Sequence, residues 1–123
     1  MFKDTKAFSS FAVPDLEAAR AFYADTLGIE TSEHVGLLTL YLGGDRETLI
    51  YLKPNHEPAT YTVLNFPVPD IEATVDELLE RGVDIELFDG FEHDERGIAR
   101  DAGPPIAWFR DPAGNILAVI EEA

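Results

Sequence analysis

The chain has 123 residues, 46% of them hydrophobic and 11% aromatic, enough for one domain whose core removes roughly two thirds of the unfolded chain's surface from water. Its 24 Asp and Glu against 9 Lys and Arg leave a formal charge of −15, which repels phosphate backbones and anionic lipid and so argues against a nucleic-acid partner. There is no cysteine, which excludes disulfides, thiolate metal sites and a cysteine nucleophile, and no apolar run approaches the ~18 residues that span a bilayer.

Residues 1–6 carry charge but no following apolar stretch of the kind a signal peptide needs, so the expected location is cytoplasmic. A strand is predicted over 7–13, where apolar residues alternate until Pro14-Asp15 interrupts the pattern. Asp15 then offers an N-cap, and Leu16, Ala19, Phe22, Tyr23 and Leu27 form the buried stripe of a helix that Gly28 ends. Period two returns in strands at 29–34, 36–42 and 48–53, with Gly43-Gly44-Asp45 turning between the last two. A polar linker occupies 54–60.

The next strand, 61–68, ends in the same way at Pro69-Asp70. A second helix carries Ile71, Val75, Leu78 and Leu79 on its apolar stripe and closes at Arg81-Gly82. Strands are predicted at 83–88, 106–110 and 116–120, the last two joined by Asp111-Pro112-Ala113-Gly114-Asn115, in which Pro presets φ and Gly supplies the left-handed residue. The charged stretch 89–104 has the length of a lid or a disordered loop.

Two segments 55 residues apart, Phe11-Ala12-Val13-Pro14-Asp15-Leu16-Glu17-Ala18 and Phe66-Pro67-Val68-Pro69-Asp70-Ile71-Glu72-Ala73, share six identities in eight. The chain therefore reads as a duplicated β-α-β-β-β unit, one copy over 7–53 and the other over 61–121, within a single domain spanning 1–123. The class is α+β, with each one-faced helix laid on one side of a sheet.

Two such units in tandem, with Phe22-Tyr23 and Leu27-Gly28 closing the first helix and Asp111-Pro112-x-Gly114-Asn115 before the last strand, resemble the vicinal oxygen chelate superfamily. That superfamily contains glyoxalase I, extradiol dioxygenases, fosfomycin-resistance enzymes and bleomycin-resistance proteins. The resemblance covers nearly the whole chain and implies an eight-stranded curved cleft with helices outside, and a homodimer. In metal-dependent members the ligands are His, Glu or Gln from the first and fourth strand of each unit.

Strand alternation makes Phe11 and Val13 core-facing in the first copy and Phe8, Ser10 and Ala12 cleft-facing. In the second copy Leu64, Phe66 and Val68 face the core, and Val63, Asn65 and Pro67 the cleft. Counting seven residues back from each capping Asp, and aligning the fourth strands, the resemblance assigns the ligand positions to Phe8, Tyr51, Val63 and Ala118. Three of these cannot bind a metal, and a neutral phenol is a poor ligand by itself. The expectation is a site with no metal and no cofactor.

His34, His56 and His93 fall on a strand end, the linker and the long loop, where solvated histidine is the ordinary reading. His93 lies among Glu92, Asp94 and Glu95, a group that could hold a proton or a cation. Ser9-Ser10 lacks the glycines of a nucleophile elbow, which leaves Ser10 as a hydrogen-bonding group. Asp45, Glu47 or the loop acids could act as a general base, without any geometry to single one out. Phe8, Ser10, Tyr51, Val63, Asn65, Trp108 and Ala118 together make an apolar, aromatic wall with sparse polar groups, the usual composition of a small-molecule pocket. The leading reading is a metal-free binding protein like the bleomycin-resistance branch, holding an aromatic or cationic ligand. A lyase, isomerase or dioxygenase is the first alternative, and a regulatory or protein-interaction module the second.

Overall fold

A computed structural model describes residues 1–101 and 103–123, and the chain divides into two compact units, 1–57 and 58–123. In the first unit β1 (Ser9–Val13), β2 (Glu30–His34), β3 (Leu37–Leu42) and β4 (Arg46–Leu52) form a sheet in the order β1-β4-β3-β2. β1 runs parallel to β4 and the other pairs are antiparallel. In the second unit β5 (Thr62–Val68), β6 (Ile106–Arg110) and β7 (Ile116–Glu121) form a sheet in the order β5-β7-β6, with β5 parallel to β7.

The duplication is visible in the helix caps. Asp15 (φ −141°, ψ 104°) accepts a hydrogen bond from the Ala18 N–H at 3.1 Å, and Asp70 (φ −140°, ψ 99°) one from the Ala73 N–H at 3.1 Å. Each aspartate satisfies an N–H that the first helical turn leaves without an intrahelical partner. After the cap the copies diverge. α1 (Leu16–Arg20) passes into a π-helical segment, Ala21–Thr26, in which the Leu27 N–H reaches back to the Phe22 carbonyl, whereas α2 (Ile71–Glu80) is α-helical throughout. Over so few residues the apolar spacings of α- and π-helix do not separate, so the sequence pattern shows only helix.

The first core lies between these helical turns and the sheet. Phe11, Val13, Ala19, Tyr23, Leu38, Leu40 and Ile50 are buried, and Tyr23 packs against Phe11 and, edge to face, against Phe22. Thr48 shares this buried face, and its hydroxyl lies 2.8 Å from that of Ser9, which meets its hydrogen-bonding need. In the second unit Ile71, Val75 and Leu78 of α2 are buried at i, i+4 and i+7. Leu79, expected on that stripe, is 47% exposed, because it lies one residue past the buried seam.

The expected strand 83–88 exists only as a bridge between Glu86 and Trp108, with the Glu86 N–H donating to the Trp108 carbonyl at 2.8 Å, so the sheets hold four and three strands. Residues 93–99 pack against their own unit. Ala99 and Ile106 exchange both backbone hydrogen bonds, and Ile98 and Ala99 are buried. This strap takes the place of the open lid or disordered loop expected over 89–104; Ala102 lies outside the described residues.

Asp111 and Asn115 form a buried turn. Asp111 Oδ1 accepts from the N–H groups of Ala113 and Asn115, and Asn115 Nδ2 donates to Asp111 Oδ2, each at 2.9 Å. Gly114 (φ +87°) takes the left-handed position that the sequence assigns to it.

Candidate functional site

In the first unit Thr48 and Ile50 point to the core, so alternation places Leu49 and Tyr51 on the opposite face of β4. Ser10 pairs with Leu49 and Ala12 with Tyr51, which brings the predicted residues Ser10 and Tyr51 onto one sheet face. Ser10 is exposed, Tyr51 is 39% exposed, and Phe8, one residue before β1, is 65% exposed. The same face continues onto β3 through Leu37, Thr39 and Tyr41, which stand opposite Tyr51, Leu49 and Glu47. The Tyr41 hydroxyl lies 2.7 Å from Ser32 Oγ. Tyr41 and Ser32 were not among the sequence candidates. Their signal is the alternation of buried Leu38 and Leu40 with Thr39 and Tyr41, which becomes readable once the first β3 residue is placed.

In the second unit Asn65 and Trp108 both pair with Ala118, so three predicted residues stand side by side across β5, β7 and β6. Leu117 and Val119, with their partners Leu64, Phe66, Ala107 and Phe109, make up the alternate face. Val63 departs from the count back from Asp70. The β5–β7 register shifts between Thr62 and Leu64, and Val63 occupies that irregularity, whereas β1 pairs without interruption. A bulge re-aims a side chain, so alternation does not carry the repeat's register through it.

Burial also differs across this face. Asn65 is exposed, Trp108 is 9% exposed and Ala118 fully buried. Trp108 and Phe109 point to opposite faces of β6, and both are covered. Trp108 packs with Ala99, Ile116 and Ala118, flanked by Phe88 and Ile106. Phe88 meets it edge to face at 5.4 Å, Phe91 lies tilted at 4.9 Å, and the His93 ring lies at 6.1 Å. Arg110 stands 5.9 Å above Phe88 and donates to Glu86 at 3.0 Å and to the Gly114 carbonyl.

His93 is a clip rather than a solvated side chain. The Phe88 N–H donates to its Nε2 at 3.1 Å, and its Nδ1 lies 2.8 Å from the Gly97 carbonyl. Asp94 fixes the next turn, accepting from the N–H groups of Arg96 and Ile98 at 2.9 Å each and from Arg100 Nε at 3.3 Å. Burial pushes its carboxyl up, and these hydrogen bonds outweigh burial, so it titrates below the ordinary aspartate range. Arg96 reaches Asp76 at 3.0 Å and Arg100 reaches Glu72 at 3.0 Å, tying the strap to α2.

The donor chemistry does not suit the metal that the resemblance implies. Phe8, Val63 and Ala118 have no side-chain donor, both His93 nitrogens are engaged, and among the described residues no group of three His, Cys, Asp or Glu is placed to hold an ion.

The sequence profile of the Glyoxalase/Bleomycin resistance protein/Dioxygenase superfamily matches residues 7–119. The chain belongs to this superfamily. Among solved structures, an antibiotic-binding protein from Streptomyces sp. CB03234, TnmS3, is similar at 25% identity and TM-score 0.69, with 98% of each chain covered. A glyoxalase family protein from Enterococcus faecalis is similar at 24% identity and TM-score 0.70, covering 98% of this chain and 100% of the other. The fosfomycin resistance protein FosX from Mesorhizobium loti shares the fold at 13% identity and TM-score 0.68, over 100% of this chain and 95% of that one. No curated protein sequence matches. No helix among the described residues is long and apolar enough to cross a membrane.

Proposed function

We propose that this superfamily member binds a small, planar aromatic cation without a metal, in the manner of the bleomycin-resistance branch. The reading is carried by the chemistry at the positions that the resemblance assigns to metal ligands, Phe8, Tyr51, Val63 and Ala118, together with Tyr41 and Tyr51 exposed on the sheet face of the first unit and the ring cluster at Trp108 in the second. Aromatic faces attract cations, and the charge of −15 draws cations in from a distance. The antibiotic-binding neighbour supports a binding role on this fold. Ser10 and Asn65 supply sparse polar groups on the two faces. The same reading takes the protein as a cytoplasmic homodimer without a nucleic-acid partner, the dimer being checked by light scattering.

The test combines metal analysis with two probes. The purified protein is expected to carry no stoichiometric Ni, Zn, Mn or Fe, and to bind proflavine at least about tenfold more tightly than the planar anion pyrenesulfonate. Stoichiometric metal together with a lyase or dioxygenase activity lost on chelation overturns the proposal. Equal binding of both probes removes the cationic part of it.

A further inference from the structure

The three rings over Trp108 are not held alike. Phe88 is half-buried, edge to face with Trp108, and capped by Arg110, while His93 is fastened at both nitrogens. Phe91 meets Trp108 in a tilted contact at 4.9 Å, has no side-chain hydrogen bond to hold it, and is 42% exposed. It follows Gly90, which sits at φ +92° with open space where a Cβ would stand. On either side the chain is fixed, by the His93 imidazole on the Phe88 N–H and by Asp94 with Arg96 and Arg100 beyond it. Residues 89–92 lie between these two fixed points, so a displacement of Phe91 would leave the rest of the strap its partners. Such a displacement would uncover the part of the Trp108 ring that Phe91 covers.

We propose that Phe91 is an internal occupant of a stacking site on Trp108, so that a planar aromatic cation and the Phe91 ring compete for the same surface. The proposal rests on the ligand class given above. The surface suits such a ligand because an indole is the aromatic side chain that attracts cations best. Competition lowers the apparent affinity by the fraction of molecules in which Phe91 is displaced, so removing the ring recovers that fraction.

The experiment measures proflavine binding by anisotropy, at high salt so that long-range attraction to the acidic surface is screened, in the wild type, F91A and F91L. Quenching of Trp108, the chain's single tryptophan, provides a second readout in the same samples. F91A is expected to bind about three- to tenfold more tightly than the wild type, with F91L between them, and acrylamide is expected to quench Trp108 more strongly in unliganded F91A. F91L fills most of the volume, which separates loss of competition from loss of packing. If the three proteins bind proflavine equally, or F91A binds more weakly, competition is overturned while the binding function stands. If none of them binds, the proposed function fails and this inference fails with it.

Discussion

Gly97 joins the strap to the body of the second unit, and replacing it with alanine measures how firmly the strap is seated. Its φ of +89° lies in the left-handed region, which costs an L-residue about 1–2 kcal/mol. A Cβ there would also stand 2.6 Å from Ile85 Cγ2 and 3.3 Å from Ile85 Cβ, contacts that require the chain to shift, and overpacking of this kind costs about 1–3 kcal/mol. Together the terms give about 2–5 kcal/mol, or roughly 6–25 °C in melting temperature at the 3–5 °C per kcal/mol expected for a chain this long. G82A is the control: its φ is +82° but nothing lies within 4 Å, so it carries only the backbone cost of about 1–2 kcal/mol. Thermal unfolding followed by Trp108 fluorescence reads the second unit directly. I85A on the G97A background removes the closest methyl and should recover part of the difference, a coupling that a double-mutant cycle measures. If G97A melts no lower than G82A, the strap yields to the methyl and the packing described for residues 94–99 is wrong.

Asp94 predicts an acid limit. Its native pKa lies below the unfolded value, so its contribution is complete above the ordinary aspartate range near 3.9 and is lost as pH falls through the lower native value. Denaturant titrations of wild type and D94N should show a stability difference that is constant from neutral pH to about 4 and shrinks below it; a difference unchanged down to pH 2 would contradict the hydrogen-bonding account. The caps predict equal effects in the two copies: D15A and D70A should each cost about 1 kcal/mol in thermal unfolding by circular dichroism, and a cost in one copy alone would show that the matched geometry hides different energetics.

The sequence carries the helix starts and the central strands because those features are local. Pro-Asp after an alternating run specifies a strand end and an N-cap within four residues, and Asp15 and Asp70 accept their bonds with φ and ψ within a few degrees of each other. The strap was not legible, since its structure comes from contacts made at a distance. Asp94 reads as one more acid in a charged loop until Arg100, Arg96 and Ile98 are seen to converge on it. The predicted strand 83–88 failed for the same reason: its alternation is genuine, but only Glu86 reaches the edge of β6. Among the site candidates, the shared sheet face of Ser10 and Tyr51, and that of Asn65, Trp108 and Ala118, was legible from alternation because their strands pair in regular register, whereas the register shift at Val63 leaves no mark in the residues.

The two copies apply one scaffold to different ends. In the first, a regular four-stranded sheet leaves Tyr41 and Tyr51 well exposed on the face away from its core. In the second, the chain gives up most of one strand and spends the residues on a strap that covers Trp108. The strap is costly in backbone freedom, needing left-handed glycines at 90 and 97, and it uses two of the chain's nine cationic side chains, Arg96 and Arg100, to hold itself to α2 and to Asp94. A cover whose only purpose was to bury Trp108 would have no use for a ring left 42% exposed between two acids.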